Sequence, residues 1–242
     1  MATKARRADR RDEALTKESI VGAAIEILDA EGETGLTFRA LAGKLATGAG
    51  AIYWHVPNKD ELLVAATDVV VAGAIASASV AKDATPEAAI RAVAIGVFDA
   101  IDIHPWVGTQ LARITWTSAM LNIFERIGRL LQSLDVPYPD QFSAASTLVT
   151  YILGAGSQNA AHAVHARVHL SNTNRLEFLA AMAAAWAELD VDAYAFTRTM
   201  AGPLREHDDR AEYLAGINLI LAGIGAPRQV SGHPQRLEQV AT

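Results

Sequence analysis

The chain contains no cysteine. That excludes disulfides, a thiolate zinc site and a cysteine nucleophile, and it suits a reducing compartment such as the cytoplasm. Aromatic residues are few, at 6%. No long uninterrupted apolar run occurs. The most apolar stretch, residues 62–81, carries Asp68 and many small side chains, so it reads as a buried helix rather than a bilayer span, and no membrane partner is expected. The first seventeen residues have charge but no apolar core, which is not the pattern of a secretory signal. Alternating segments bounded by hairpin turns are missing too, as are internal repeats. What the chain does have is 51% hydrophobic residues against 20% charged ones, enough apolar mass in 242 residues for a sizeable core.

Acidic residues outnumber basic ones and the net charge is −6, which by itself argues against a polyanionic partner. The excess is unevenly placed. Residues 1–60 hold nine charges of each sign, and residues 1–17 hold six basic against three acidic ones. The body is therefore acidic and the N-terminal arm basic, a distribution compatible with a local DNA footprint.

Helical periodicity runs almost throughout, so the expected fold class is all-α. Thr16 caps a first stripe of Ile20, Val21, Ala24, Ile25 and Leu28, and Gly32 is the expected stop. Thr37 caps a second, short stripe of Phe38, Leu41, Ala42 and Leu45. A third short helix enters through Gly48 and ends before Pro57. Asn58 and Glu61 then form a capping box that opens a long helix towards Lys82. Further on, Thr85-Pro86 starts a helix and His104-Pro105-Trp106 marks a break. A stripe runs from Met120 to Leu134. Asp140 is expected to cap a helix reaching about Ala166, with a loop over 167–173. Asn174 and Glu177 open an alanine-rich helix to about Leu189, and a last helix spans Asp208 to Gly223. The expected organisation is a basic arm (1–15), a three-helix domain (16–63), a larger helical domain (64–226) and a polar tail (227–242).

Residues 36–59, LTFRALAGKLATGAGAIYWHVPNK, carry the most information. Two short helices separated by Ala46, Thr47 and Gly48 match a helix-turn-helix, in which the second helix enters a major groove while the first spans phosphates. Apolar positions close a small core and leave Thr37, Arg39, Thr47, Tyr53, His55 and Lys59 on other faces. Cationic and hydroxyl side chains there can meet phosphates.

These residues resemble the tetracycline-repressor (TetR) family of bacterial regulators. The resemblance lies in Gly35-Leu36-Thr37-Phe38-Arg39-Ala40-Leu41-Ala42, in Ile52-Tyr53-Trp54-His55-Val56, and in Asn58-Lys59-Asp60-Glu61-Leu62-Leu63. The YWHV-x-NK run is similar to the tetracycline-repressor branch itself. Residues 213–217 and 221–223, and His104-Pro105-Trp106, also fit that branch's C-terminal domain. The resemblance implies a cytoplasmic homodimer, usually a repressor, that binds a palindromic double-stranded DNA operator and is released by a small hydrophobic or aromatic effector; an activator of the same fold is the alternative. It further implies that Thr37 and Lys59 bind phosphates, that Tyr53 and His55 touch the backbone, and that Arg39 reaches a base or a phosphate. Trp54 is expected to pack rather than to read DNA. Gly48, Ala49, Gly50 and Ala51 depart from the pattern, because they offer only amides and methyl groups to the bases, which shifts specificity towards Arg39, the arm and DNA shape.

In the larger domain the candidate effector-binding residues are His104, Trp106, Arg113, Trp116, Phe124, Gln158, Asn159 and His162, an apolar lining with a few polar groups. Trp186 and Phe178 are further aromatic candidates. His162, His165 and His169 share one helical face, yet no acidic orienting residue lies nearby, so solvated histidines are favoured over a metal site and no cofactor is expected. An enzyme using Ser146 or Ser157 with His162 is disfavoured: there is no nucleophile elbow, no glycine-rich phosphate loop and no carboxylate pair.

Overall fold

The computed structural model describes residues 15–78, 83–113, 118–169 and 175–225, with only the helical backbone over 162–169. Among the described residues there are twelve helices and no strand. Residues 1–14 of the basic arm, Trp116, Asn174, the side chains of the histidine trio, residue 226 and the tail (227–242) lie outside the described residues.

Helix α1 (Lys17–Gly35) starts where two hydroxyls exchange bonds: Ser19 N–H donates to Thr16 Oγ1, and Thr16 N–H donates to Ser19 Oγ, each at 3.1 Å. Gly32 does not stop it but kinks it. Its φ of 69° and ψ of −171° fall in a region open essentially to glycine alone, after which the helical turn resumes to Gly35. Helix α2 (Phe38–Lys44) is capped by Thr37, whose Oγ1 accepts from Ala40 N–H at 3.1 Å. Helix α3 (Ala49–Tyr53) follows a tight turn. Helix α4 (Lys59–Ser77) is capped by Asn58, whose Oδ1 accepts from Glu61 N–H at 2.8 Å. It ends at Ser77, short of the expected Lys82, and runs unbroken through residue 63, where the domain boundary was expected.

Helix α5 (Pro86–Ile103) has Thr85 as cap and proline at its start, where a missing N–H costs nothing. Helices α6 (Pro105–Arg113) and α7 (Ser118–Ser133) follow. Asp135 turns the chain with φ 55°, and Val136 N–H reaches back to Leu131 C=O, the Schellman closure. Helix α8 (Tyr138–His169) begins before the expected cap at Asp140 and continues past Ala166, so 167–169 are helical rather than loop; its 32 residues span about 48 Å. Helix α9 (Arg175–Ala187) is followed by two short helices that periodicity did not reveal, α10 (Ala195–Thr199) and α11 (Ala201–Arg205). Helix α12 (Asp209–Gly225) closes the described chain.

One apolar cluster runs from Ile20 in α1 through Leu62 and Val71 in α4 to Val97 in α5, Ile127 in α7, Ile152 in α8 and Ile217 in α12. Helix α4 belongs to both ends of it, packing on α1 and also on α5, α6 and α7. Helices α9 to α11 pack mainly on each other.

The centre of the larger domain is knitted by two tyrosines. Tyr213 O–H donates to Ala94 C=O at 3.0 Å and its ring lies 4.7 Å from that of Phe98, while Tyr151 stacks on it at 5.7 Å. Burial raises the Tyr213 phenol well above its ordinary value, with Tyr151 and Asp99 adding to the shift, and burial also raises Tyr151. In the unfolded chain a tyrosine ionises near pH 10. Because the folded state resists that ionisation, the tyrosines' contribution to stability is complete below about pH 10 and is lost as the pH rises above it. Urea midpoints should therefore be flat from neutral pH to about pH 9.5 and fall beyond it, and Tyr213→Phe should soften the fall.

Candidate nucleic-acid interface

The α2–α3 unit is short, and its apolar residues are used up in the core. Leu41, Ile52 and Val56 are buried, as is Leu36 just before α2. Phe38, Ala40, Ala42 and Leu45 pack partly buried against that core; Thr37, Arg39, Gly48, Gly50, Ala51, Tyr53, Trp54 and His55 are exposed, and Thr47, Ala49 and Lys59 are half-buried.

The turn is built by a left-handed alanine. Ala46 has φ 53°, Thr47 N–H closes on Ala42 C=O at 3.0 Å, and Ala46 N–H closes on Gly43 C=O at 3.4 Å. This is a Schellman end to α2 with alanine where glycine is usual. Gly48 then starts α3 without a side-chain cap. Lys44 holds α2 to α1 through Glu26, Nζ to Oε2 at 2.6 Å.

Each candidate contact has a definite setting. Thr37 Oγ1 spends one acceptor site on Ala40 N–H, which leaves its O–H free to donate. Tyr53 stacks flat on Phe38, with ring centroids 4.2 Å apart and planes 3° off parallel, and is still 50% exposed, so its phenol is presented on a stiff base. Lys59 donates to Glu33 C=O at 2.6 Å, which anchors the ammonium beside the head and leaves two more N–H donors.

Trp54 corrects an expectation. Read as a packing residue, it is 91% exposed. The reason is the brevity of α3: Ile52 fills the core beneath it, Trp54 is already the C-cap, and Val56 takes the next inward place. Trp54→Ala should therefore shift the melting temperature by less than about 2 °C, because no packed area is lost; a larger drop would show that the ring is packed after all.

The residues expected to line an effector cavity are placed differently. His104 Nδ1 and Trp106 Nε1 both meet Asp29 Oδ1 on α1, at 2.7 and 2.8 Å. Arg113 Nη1 donates to both oxygens of Glu33 at 3.1 and 3.2 Å. These three are thus engaged at the junction with α1. Phe124 lies near Phe142, with centroids 6.0 Å apart, while Gln158 is exposed and Asn159 half-buried on α8. Phe178 is exposed, and Trp186 joins Phe196, Met200 and Leu204 along an open groove of about 450 Å³. A larger open cavity of about 650 Å³ sits elsewhere, between the α7–α8 turn and the end of α12, lined by Leu134, Val136, Pro137, Ile220 and Ile224. Of the described candidates, Trp186 lines the smaller space, and His104, Trp106, Arg113, Phe124, Gln158 and Asn159 line neither. No group of three metal-ligating side chains occurs among the described residues, nor is any helix among them long and apolar enough to cross a membrane.

The family model of bacterial regulatory proteins of the tetR family matches residues 20–66, the stretch that holds α1 to α3 and the start of α4. A solved structure from Streptomyces coelicolor, the transcriptional regulator SCO7222, described as a TetR, superposes with a TM-score of 0.78 at 50% identity, covering 87% of this chain and 98% of that one. The chain belongs to the TetR family. Among curated TetR-type relatives, the transcriptional repressor DrrR1 of Streptomyces coeruleorubidus is 34% identical over 143 residues, 58% of this chain and 52% of that protein. The class D tetracycline repressor of Escherichia coli is 49% identical over 49 residues, 20% of this chain and 22% of that one. The chain thus spans about half of DrrR1 and less than a quarter of the class D repressor.

Proposed function

We propose that this TetR-family protein regulates transcription by binding an operator through α2 and α3, and that it acts as a repressor. The observation that carries the reading is the reading head itself: a helix-turn-helix with its apolar side chains spent inward and Thr37, Arg39, Tyr53, Trp54 and His55 presented outward. Similarity to repressors, DrrR1 and the class D tetracycline repressor, supports that sign of regulation. Gly48 to Ala51 offer amides and methyls only, so base choice falls to Arg39 and DNA shape.

The protein works as a homodimer on a palindromic site. Supporting this, Tyr138, Phe142 and Leu219 stand exposed on α8 and α12, and small residues such as Gly154, Ala215 and Gly223 leave the neighbouring surface low enough for a second pair of helices. A small apolar effector bound in the larger domain and preferring a different spacing of the heads would weaken operator binding by its differential affinity. Phe124, Gln158 and Asn159 remain candidates for effector contact, as do Trp116 and His162, whose side chains lie outside the described residues.

The test uses a duplex selected by the protein from a random-sequence pool. Binding should weaken steeply with salt, and light scattering should give twice 25.7 kDa for the free protein. A strict monomer, or binding of all duplexes alike, would overturn the reading.

A further inference from the structure

Four side-chain donors from one segment of the larger domain converge on two carboxylates of α1. His104 and Trp106, at the start of α6, meet Asp29. Gln110 and Arg113, towards its end, meet Glu33; the Gln110 amide donates to Glu33 Oε2 at 3.1 Å. Trp106 and Gln110, four residues apart, share one face of α6, while Asp29 and Glu33 lie on either side of the Gly32 kink.

Gln110 is the strongest sign that this junction is built. Among the described residues, apart from the aromatic donors Tyr213 and Trp106, only two polar side chains are buried, Thr67 and Gln110. Thr67 satisfies itself within its own helix, on Leu63 C=O at 2.8 Å. Gln110 is 4% exposed, and its side chain reaches across to α1. A buried amide costs stability unless it is bonded, so its partner is fixed by the energetics of the site.

Glu33 has a further connection. The kink at Gly32 sets it at the last turn of α1, where its carbonyl takes the Lys59 ammonium at 2.6 Å. One residue thus touches the end of α1, the first residue of α4 and the far end of α6, four positions before the cap of α2.

We propose that Asp29 and Glu33 are positioning residues that index the angle of the DNA-reading head to α6. Apolar contact is non-directional and lets helices slide. Hydrogen bonds of 2.7–3.2 Å weaken with small displacements and changes of angle. Two rungs fix rotation as well as distance. Any displacement of α6 along its axis is therefore transmitted to α1 and α2, or it breaks all four donors at once. The angle is a property of the fold; its consequence for operator binding rests on the function proposed above.

The absence of native cysteine allows site-specific spin labels on the full-length protein. Gly43→Cys on α2 and Asn122→Cys on α7 are exposed positions in the head and the body. Labelled chains are mixed with excess unlabelled chains, and the intrachain distance distribution is measured. The parent should give one narrow distribution. Asp29→Asn with Glu33→Gln keeps shape and removes both charges, and should widen the distribution about twofold while helicity is retained. Arg113→Lys, which keeps a donor and the charge, should keep it narrow. Affinity for the selected duplex should fall about tenfold in the widened variant. A widened distribution in a protein that binds no duplex even as the parent would support the strap and overturn the DNA reading. An unchanged width in the double variant would overturn the strap, whatever happens to DNA binding.

Discussion

Gly216→Ala is expected to destabilise the protein by about 3 kcal/mol. A Cβ at this position would sit 1.9 Å from Tyr151 Oη and 2.3 Å from its Cζ, far inside van der Waals contact. The ring has little freedom to give way. Its hydroxyl donates to Tyr213 C=O at 3.2 Å, and its face stacks on the Tyr213 ring. Tyr213 is held in turn by Ala94 and Phe98 on α5. One methyl group therefore disturbs α5, α8 and α12 together. In a chain of this size that corresponds to a loss of roughly 6–12 °C in melting temperature. Pairing it with Tyr151→Ala should recover part of the loss relative to the sum of the two single changes, since the clash is gone. Additive effects in that cycle would mean that α8 and α12 do not approach through this contact.

The second large effect concerns the head. Tyr53→Ala with Lys59→Ala should lower affinity for the selected duplex about 100-fold, because in the dimer proposed above each change would remove a backbone contact from both subunits. Lys59→Ala should also reduce the slope of log affinity against log salt by about one for each lysine lost from the interface, whereas Tyr53→Ala should leave the slope alone. The two side chains have structural duties as well: Tyr53 lies on Phe38, and Lys59 holds Glu33 C=O. Melting temperatures of the single variants separate folding from binding. A double variant that stays folded and binds as the parent does would remove these residues from the contact surface.

Much of the architecture can be read from local chemistry. Thr16, Thr37, Asn58 and Thr85 each cap the helix they announce, because a short side-chain oxygen next to free amides acts over three residues. The stripe Ile20, Val21, Ala24 and Leu28 is buried as its spacing requires; Ile27 is the deeper residue and Ile25 the shallower. Other features depend on distant partners. Gly32 reads as a stop, and only the packing of Glu33 against Lys59 and α6 explains why the helix resumes. His104, Trp106 and Arg113 look like pocket residues, since aromatic and polar groups near a proline break suit a cavity. Their partners Asp29 and Glu33 lie 75 to 80 positions away, beyond any local pattern. Helices α10 and α11 are only five residues each, too short to show a period. Trp54 is misread for the same reason: in a five-residue helix the inward side is settled by one residue, Ile52.

For the α2–α3 unit, the sequence offers candidate contact residues but not their mechanical setting. Thr37, Arg39, Tyr53, His55 and Lys59 are singled out by residue type alone. That Tyr53 rests on Phe38, and that Lys59 is tied to the carbonyl of Glu33, emerges only when α1, α2, α3 and α4 are brought together.

Hydroxyl-radical footprinting of the full-length protein on its selected duplex tests the central claim most directly. Two α2–α3 heads in one dimer should protect two patches on the same face of the DNA, with centres about one helical turn, roughly 34–36 Å, or a whole multiple of it apart, and the Tyr53→Ala and Lys59→Ala variant should lose both patches together. A single patch, or protection that survives in that variant, would contradict the account.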